Sequence, residues 1–252
     1  MANLKIKGVE IIETFAEAFP MVGTRIIITG PTQKWALIAA QTMTGFATSV
    51  IACGAEAGIE RLVPAEETLD GRPGVAVLLF TMDVNKLQTQ LRNRVGQCVL
   101  TSPGSACFAG LEGEKKLKLG SSLRFFGDGW QVSKLIGGRR FWRIPVMDGE
   151  FVCEHTTGLT KKAVGGGNLL VLGRSYRAVL SACERAVKAI GGVADAIAPF
   201  PGGIVRSGSK VGSKYKGQIA STNDAYCPTL KAAVSTALPL SSKRSALIRR
   251  DP

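Results

Sequence analysis

The chain has 252 residues, 45% of them hydrophobic and 20% charged, with a formal net charge of +13. That balance excludes a disordered chain and suits one large domain or two small lobes around a buried core. No apolar run reaches the ~18 residues of a membrane span, and the acid-interrupted start "MANLKIKGVEIIETFAEAF" is no export signal, so the expected location is cytoplasmic. The six cysteines include no C-x-x-C pair and are expected to stay reduced; with a single histidine, His155, they argue against a metal site and a histidine-based triad.

In chain order, "TRIIIT" (24–29) is a β-branched run that predicts a strand. "QKWALIAAQTMTG" follows as a helix with Trp35, Ile38, Ala39 and Thr42 on one face and a stop at Gly45. "TSVIAC" predicts a second strand and, beyond the turn-rich "VPAEETLDGRPG", "VAVLLF" predicts a third. "DVNKLQTQLRNRVG" reads as a helix capped by Asp83, with Leu87, Leu91 and Val95 in a stripe and Gly96 as its end. "QCVLTS" closes a β-α-β-β-α-β set, the ferredoxin-like or split βαβ plan.

A region rich in glycine and basic residues follows, with strands expected in "SLRFFGDGW" and "RRFWRIPVMDG". A second unit then starts: "GNLLVLG" as a strand, "SYRAVLSACERAVKAI" as a helix with Val179, Cys183, Ala186 and Ile190 inward, and "GGVADAIAPFPGG" as the next strand. The closing "KAAVSTALPLSSKRSALIRRDP" offers at best one short helix and no strand–helix–strand. The expected fold class is α+β: two ferredoxin-like (split βαβ) lobes, the second one incomplete. Residues 1–150 form the N-terminal lobe with inserted strands, 151–230 the first half of the second lobe plus a loop, and 231–252 a basic tail outside the family pattern. A half-sheet leaves backbone groups unpaired, at about 1–3 kcal/mol each when buried, so the second lobe is expected to be poorly ordered alone or completed by another chain.

The chemistry concentrates late in the chain, in "FPGGIVRSGSKVGSKYKGQIASTNDAYCPTL". Gly202 and Gly203 permit a sharp turn, and Arg206, Ser209, Lys210, Ser213 and Lys214 set cations among small residues where an anion can reach backbone N–H groups. Ser221, Thr222, Asn223, Asp224 and Cys227 then form a polar cluster suited to orienting an amide or amine. A flexible surface loop has the same composition as a ligand loop. Cys227 has no histidine nearby to activate it, and Asp224 could simply fix the loop as an Asx-turn acceptor. The +13 charge also raises nucleic acid as a partner, but aromatics make up only 6% and no RNA-stacking signature occurs.

The blocks "GVEIIETFAEAFPM", "TGFATSVIACGAEAGIE", "PAEETLDGRPGV", "GQCVLTSP", "LRFFGDGW", "WRIPVMDGEFVCE", "AVGGGNLLVL", "APFPGGIVRSGSKVGSK" and "ASTNDAYCPT" together resemble the formylmethanofuran–tetrahydromethanopterin formyltransferases, over roughly residues 8 to 230. The basic balance is similar to the methylotrophic-bacterial branch, whose members join a formylmethanofuran hydrolase complex in formaldehyde oxidation. The resemblance implies reversible formyl transfer between formylmethanofuran and tetrahydromethanopterin, co-substrates in a reaction without metal, nucleotide or covalent formyl-enzyme. It further implies dimers and homotetramers, and carriers bearing carboxylates and a phosphate; by chemistry, Gly202, Gly203, Arg206, Ser209, Lys210, Ser213, Lys214, Thr222 and Cys227 are the candidates to grip them, with no membrane partner expected. By chemistry, Asp224, Asn223 and Ser221 are the catalytic candidates, the last two as oxyanion donors. The family's further strand, helix and strand, with a glutamate proposed as acid, has no counterpart in 231–252, where no Glu occurs. Turnover is therefore expected to be reduced unless Asp224 or Glu154 substitutes, and the alternative role is a non-catalytic assembly subunit of the complex.

Overall fold

The computed structural model describes residues 4–11, 18–166, 169–206, 214–217 and 248–249. Strands β1 (Leu4–Ile6) and β2 (Val9–Ile11) form a hairpin whose turn puts Lys7 and Gly8 at φ 49° and 80°, the left-handed pair that a two-residue hairpin demands. The long β3 (Ala18–Thr29) carries the β-branched run and is followed by α1 (Gln33–Thr44), capped where Thr32 Oγ1 accepts from Trp35 N. After β4 (Thr48–Ser49) and the short α2 (Val50–Cys53) come β5 (Ala55–Val63), β6 (Gly74–Thr81) and α3 (Val84–Arg94), capped by Asp83.

The remaining elements are β7 (Ala106–Ala109), β8 (Lys116–Lys118), α4 (Gly120–Leu123), β9 (Val132–Ile136), β10 (Arg139–Val146), β11 (Gly149–Glu154), β12 (Thr156–Gly158), β13 (Thr160–Gly166), β14 (Leu170–Val171), α5 (Tyr176–Ile190) and β15 (Ile248–Arg249). A nine-stranded mixed sheet runs β4-β5-β6-β3-β7-β11-β10-β9, with β13 also pairing β3. Antiparallel pairs dominate, and the β7–β11 pair is parallel. The result is a mixed α+β chain built on one large sheet.

One face of that sheet is the core. Ile26 and Ile28 of β3 and Val75, Val77 and Leu79 of β6 meet Ala39, Ala40 and Met43 of α1 and Leu87 and Leu91 of α3, all within 1% of full burial. Each large side chain buried there contributes roughly 1.5–3 kcal/mol.

Several elements depart from the sequence expectation, each for a local reason. The buried face of α1 is Ala36, Ala39, Ala40 and Met43, while Trp35 and Ile38 are exposed. Small residues let the helix start lie directly on the sheet: a Cβ at Gly30 would sit 2.8 Å from Ala36 N. "TSVIAC" is not a strand beyond Ser49, because Ser49 Oγ accepts from Ile51 N and starts a helical turn that Gly54 ends at φ 73°. The expected strand begins instead at Ala55, as β5. Gly96 does not stop α3. The four-residue stripe Leu87, Leu91, Val95, Val99 continues through a π-helical turn (95–99), so "QCVLTS" is helical and turn, and β7 closes the set.

"SLRFFGDGW" is α4 followed by a 3-10 turn, ended by Asp128 in the left-handed region at φ 50°. In the second unit Val179 and Cys183 of α5 are buried as expected, with Ala186 and Ile190 half-buried. "GGVADAIAPFPGG" forms turns and a 3-10 segment instead of a strand. Pro199 and Pro201 have no N–H to give a ladder. The closing stretch, where no strand–helix–strand is expected, supplies the two-residue β15, which pairs antiparallel with β14.

Candidate functional site

Side chains alternate across a strand, so Arg25, between the core residues Thr24 and Ile26, points to the face of the sheet opposite α1 and α3. There it meets Glu60 of β5 in a two-pronged pair, Nε to Oε2 at 2.6 Å and Nη2 to Oε1 at 2.7 Å. The Glu60 side chain is 6% exposed, so its charge needs this partner. The hydrogen bonds it donates to Glu60 hold the Arg25 guanidinium above its ordinary pKa, against burial.

A third residue closes the cluster from 135 positions away. The Asp195 carboxylate accepts from Arg25 Nη2, and the Asp195 N–H donates to Glu60 Oε1 at 2.8 Å. Two residues on, Ile197 lies against Gly58 of β5 so closely that a Cβ there would be 3.0 Å from the Ile197 Cβ. The segment leading to the glycine turn is thus seated directly on the N-terminal sheet.

The turn itself follows at once. Gly202 and Gly203 have φ 61° and 74°, which favours glycine at both positions. Gly203 N donates to Phe200 O at 2.7 Å and Ile204 N to Pro201 O at 3.2 Å. A Cβ at Gly203 would meet Val187 Cγ1 of α5 at 2.7 Å, so the turn is pressed against that helix. Val205 is buried and Arg206 exposed, and Lys214 is exposed in a separate turn (214–217). Gly202, Gly203 and Arg206 therefore sit together. Ser209, Lys210, Ser213, Ser221, Thr222, Asn223, Asp224 and Cys227 lie outside the described residues.

Two further groups belong to the N-terminal sheet. Glu154 accepts from Arg139 Nε at 2.8 Å, from Arg139 Nη2 at 2.6 Å and from Ala109 N at 2.9 Å. Its neighbour His155 accepts at Nδ1 from Trp142 Nε1 at 2.9 Å. Burial, with Arg140 and Arg124 nearby, lowers the His155 pKa below 6.5. Donors from two other strands converge on this one carboxylate, which suits it to holding strands together. Among the described residues, no group of three or more His, Cys, Asp or Glu side chains is placed to hold a metal ion, and no disulfide joins the described cysteines.

The Arg25–Glu60–Asp195 cluster escaped the sequence reading. Its signal was present as a charge inside each of two apolar strands, "TRIIIT" and "GIERLV", where an unpaired charge would be costly.

Comparison with known proteins follows the same division of the chain. A family model described as "Formylmethanofuran-tetrahydromethanopterin formyltransferase" matches residues 4–146, and one described as "FTR, proximal lobe" matches residues 149–246. A formylmethanofuran–tetrahydromethanopterin formyltransferase of Methylococcus capsulatus is 63% identical over 92% of this chain and 78% of its own length. A protein of Methylorubrum extorquens named as a subunit of the formyltransferase/hydrolase complex is 58% identical over 95% of this chain and 78% of its own. The crystal structure of that organism's formyltransferase/hydrolase complex with methylofuran contains a chain that superposes with TM-score 0.92 at 55% identity, covering 99% of this chain and 82% of that one. The formyltransferase of Methanosarcina barkeri superposes with TM-score 0.90 at 46% identity, covering 98% and 83%.

Proposed function

Because the chain belongs to the formylmethanofuran–tetrahydromethanopterin formyltransferase family, we propose that it transfers a formyl group between formylmethanofuran and tetrahydromethanopterin as its co-substrates. The observation that carries this is the match of the two family models over residues 4–146 and 149–246, together with 63% identity to a formyltransferase. In the reaction the pterin ring amine attacks the formyl carbon, a tetrahedral intermediate forms, and the methanofuran amine leaves. Positioning two amines and stabilising one oxyanion are the protein's tasks. We assign them to the late segment: Asn223 and Ser221 as donors to the oxyanion, and Asp224 as the group that moves the proton. Gly202, Gly203, Arg206, Ser209, Lys210, Ser213, Lys214, Thr222 and Cys227 shape and charge the loop for the acidic carriers. The exposed Arg206, three residues beyond the glycine turn, and the exposed Lys214 support this reading.

The scaffold we infer is a pair of ferredoxin-like lobes, residues 1–150 and 151–230. Supporting the first is the chain order β3-α1-β5-β6-α3-β7 with strand order β5-β6-β3-β7 in the sheet. We further propose homotetramers in the cytoplasm, working in formaldehyde oxidation alongside hydrolase subunits. That a 58% identical relative is named as a component of a formyltransferase/hydrolase complex favours this assembly role.

The test is to incubate the purified chain with formylmethanofuran and tetrahydromethanopterin and follow the formylated pterin by chromatography and mass spectrometry. Time-dependent, enzyme-dependent product is expected. A preparation that is folded yet yields none, alone or with hydrolase subunits, would overturn the proposal.

A further inference from the structure

Asp195 has two properties that rarely coincide by accident. Its backbone is in the left-handed region at φ 64°, a conformation that costs most side-chain-bearing residues about 1–2 kcal/mol and Asp or Asn less. It is nevertheless held from both ends, its N–H donating to Glu60 Oε1 at 2.8 Å and its carboxylate accepting from Arg25 Nη2. The cost is borne by contacts that reach across 135 and 170 positions of sequence.

The consequence is geometric. Glu60 and Arg25 are fixed in the sheet, where Arg25 follows the fully paired β3 ladder and also lies 3.5 Å, through Nη1, from Gly110 O. Asp195 is on a loop, its side chain 77% exposed, and only six positions precede the Pro201–Gly203 turn. Ile197 on Gly58 repeats the attachment two residues further along. Because only five residues, 196–200, separate Asp195 from the turn, a shift at Asp195 is transmitted to Gly202 and Arg206 with little slack.

We propose that Asp195, acting through Arg25 and Glu60, is a positioning residue for formyl transfer: it fixes where the glycine turn and its first cation stand relative to the N-terminal sheet. The proposal rests on the reading of the 202–227 stretch as the carrier-binding loop. Asp195 touches no substrate and acts only through the loop it anchors. Losing the anchor leaves the reacting groups unchanged but lets the carrier-binding segment wander, so affinity falls while the chemical step does not.

Asp195→Asn tests this, since asparagine tolerates φ near 60° and keeps the N–H to Glu60, so only the ion pair to Arg25 is removed. The Arg25–Glu60 pair stays, and the unfolding midpoint should remain near that of the parent. The expected result is a KM for at least one carrier raised about tenfold with kcat within about twofold, and partial recovery in Asp195→Glu. Hydrogen exchange of residues 196–206 should quicken in Asp195→Asn whether or not the chain is active. Unchanged KM together with unchanged exchange overturns the inference. So does a parallel fall of activity and unfolding midpoint that Asp195→Glu fails to repair, which would mark a purely structural role. If the parent protein transfers no formyl group, the family-based function fails instead, and the exchange measurement alone decides whether Asp195 anchors the turn.

Discussion

Trp142 Nε1 donates to His155 Nδ1 at 2.9 Å, and this leaves the ring proton of neutral His155 on Nε2. The arrangement requires an unprotonated Nδ1. Arg124 reinforces it, stacking its guanidinium 4.9 Å from the Trp142 ring centre on the same small assembly.

A pH dependence of stability follows. Burial, then Arg140, then Arg124 lower the His155 pKa below its ordinary 6.5, so between the folded value and 6.5 the unfolded chain binds more protons. Stability therefore rises with pH through that window and is lost as pH falls through it. Urea unfolding midpoints measured at intervals from about pH 5 to pH 8 should fall on the acid side in the parent. His155→Gln, whose amide oxygen can still accept from Trp142, should flatten that part of the profile. An equally steep profile in the variant would refer the effect to other groups.

Glu154 is one acid candidate that the sequence offers, and its three donors argue for a different role. Arg139 grips it with two hydrogen bonds and Ala109 N adds a third, joining β10, β11 and β7 at one point. Glu154→Gln keeps the size but removes the charge that Arg139 needs. Breaking a fully buried pair costs about 3–5 kcal/mol; with Arg139 36% exposed, about 2 kcal/mol is expected here. The pH profile of kcat should be that of the parent once corrected for folded fraction. A profile that loses a titration step in Glu154→Gln would restore Glu154 as an acid.

The N-terminal half of the fold was legible because its signals are local. Asp83 as cap and the Leu87–Leu91 stripe placed α3 correctly, and the unbroken "VAVLLF" could only be a buried strand. Errors arose where one residue changed meaning in context. Gly96 looks like a stop, yet Phe126 and Leu123 pack where its side chain would be, so the helix runs through it. Trp35 and Ile38 look like a core face, yet a close helix–sheet approach selects the alanines instead. The Arg25–Glu60–Asp195 cluster was invisible for another reason: its members are brought together only by tertiary structure. Of the late polar segment, the glycine turn was legible in residues, but its seat on β5 was not.

The two thiols beside Arg94 should differ in reactivity. Burial pushes Cys98 up from 9.0, with Arg94 only partly offsetting it. Burial also acts to raise Cys53, but the Thr48 hydroxyl, 3.6 Å from Sγ, the backbone of Ser49 and Thr48, and the Arg94 charge together bring it below 9.0. The thiolate is the nucleophile, so iodoacetamide at neutral pH should label Cys53 before Cys98. Peptide mass spectrometry of briefly treated native protein reads the order directly, and Cys98 reacting first would contradict the assignment. Arg94→Gln should slow Cys53 by removing the positive charge.

Gly203 is the position where the turn and its support can be separated from each other. An added Cβ faces two penalties. The residue is at φ 74°, and the new carbon would lie 2.7 Å from Val187 Cγ1 and 3.2 Å from the Ala198 Cβ. Together they should cost about 2–5 kcal/mol of local stability. Gly202, at φ 61° with nothing within 4 Å of its would-be Cβ, meets only the first. Gly203→Ala should therefore reduce formyl transfer more than Gly202→Ala. Adding Val187→Ala to Gly203→Ala should return part of the loss by making room on α5, while leaving the backbone penalty in place. If the second substitution recovers nothing, contact with α5 does not set the turn, and backbone conformation alone explains why glycine stands at 203.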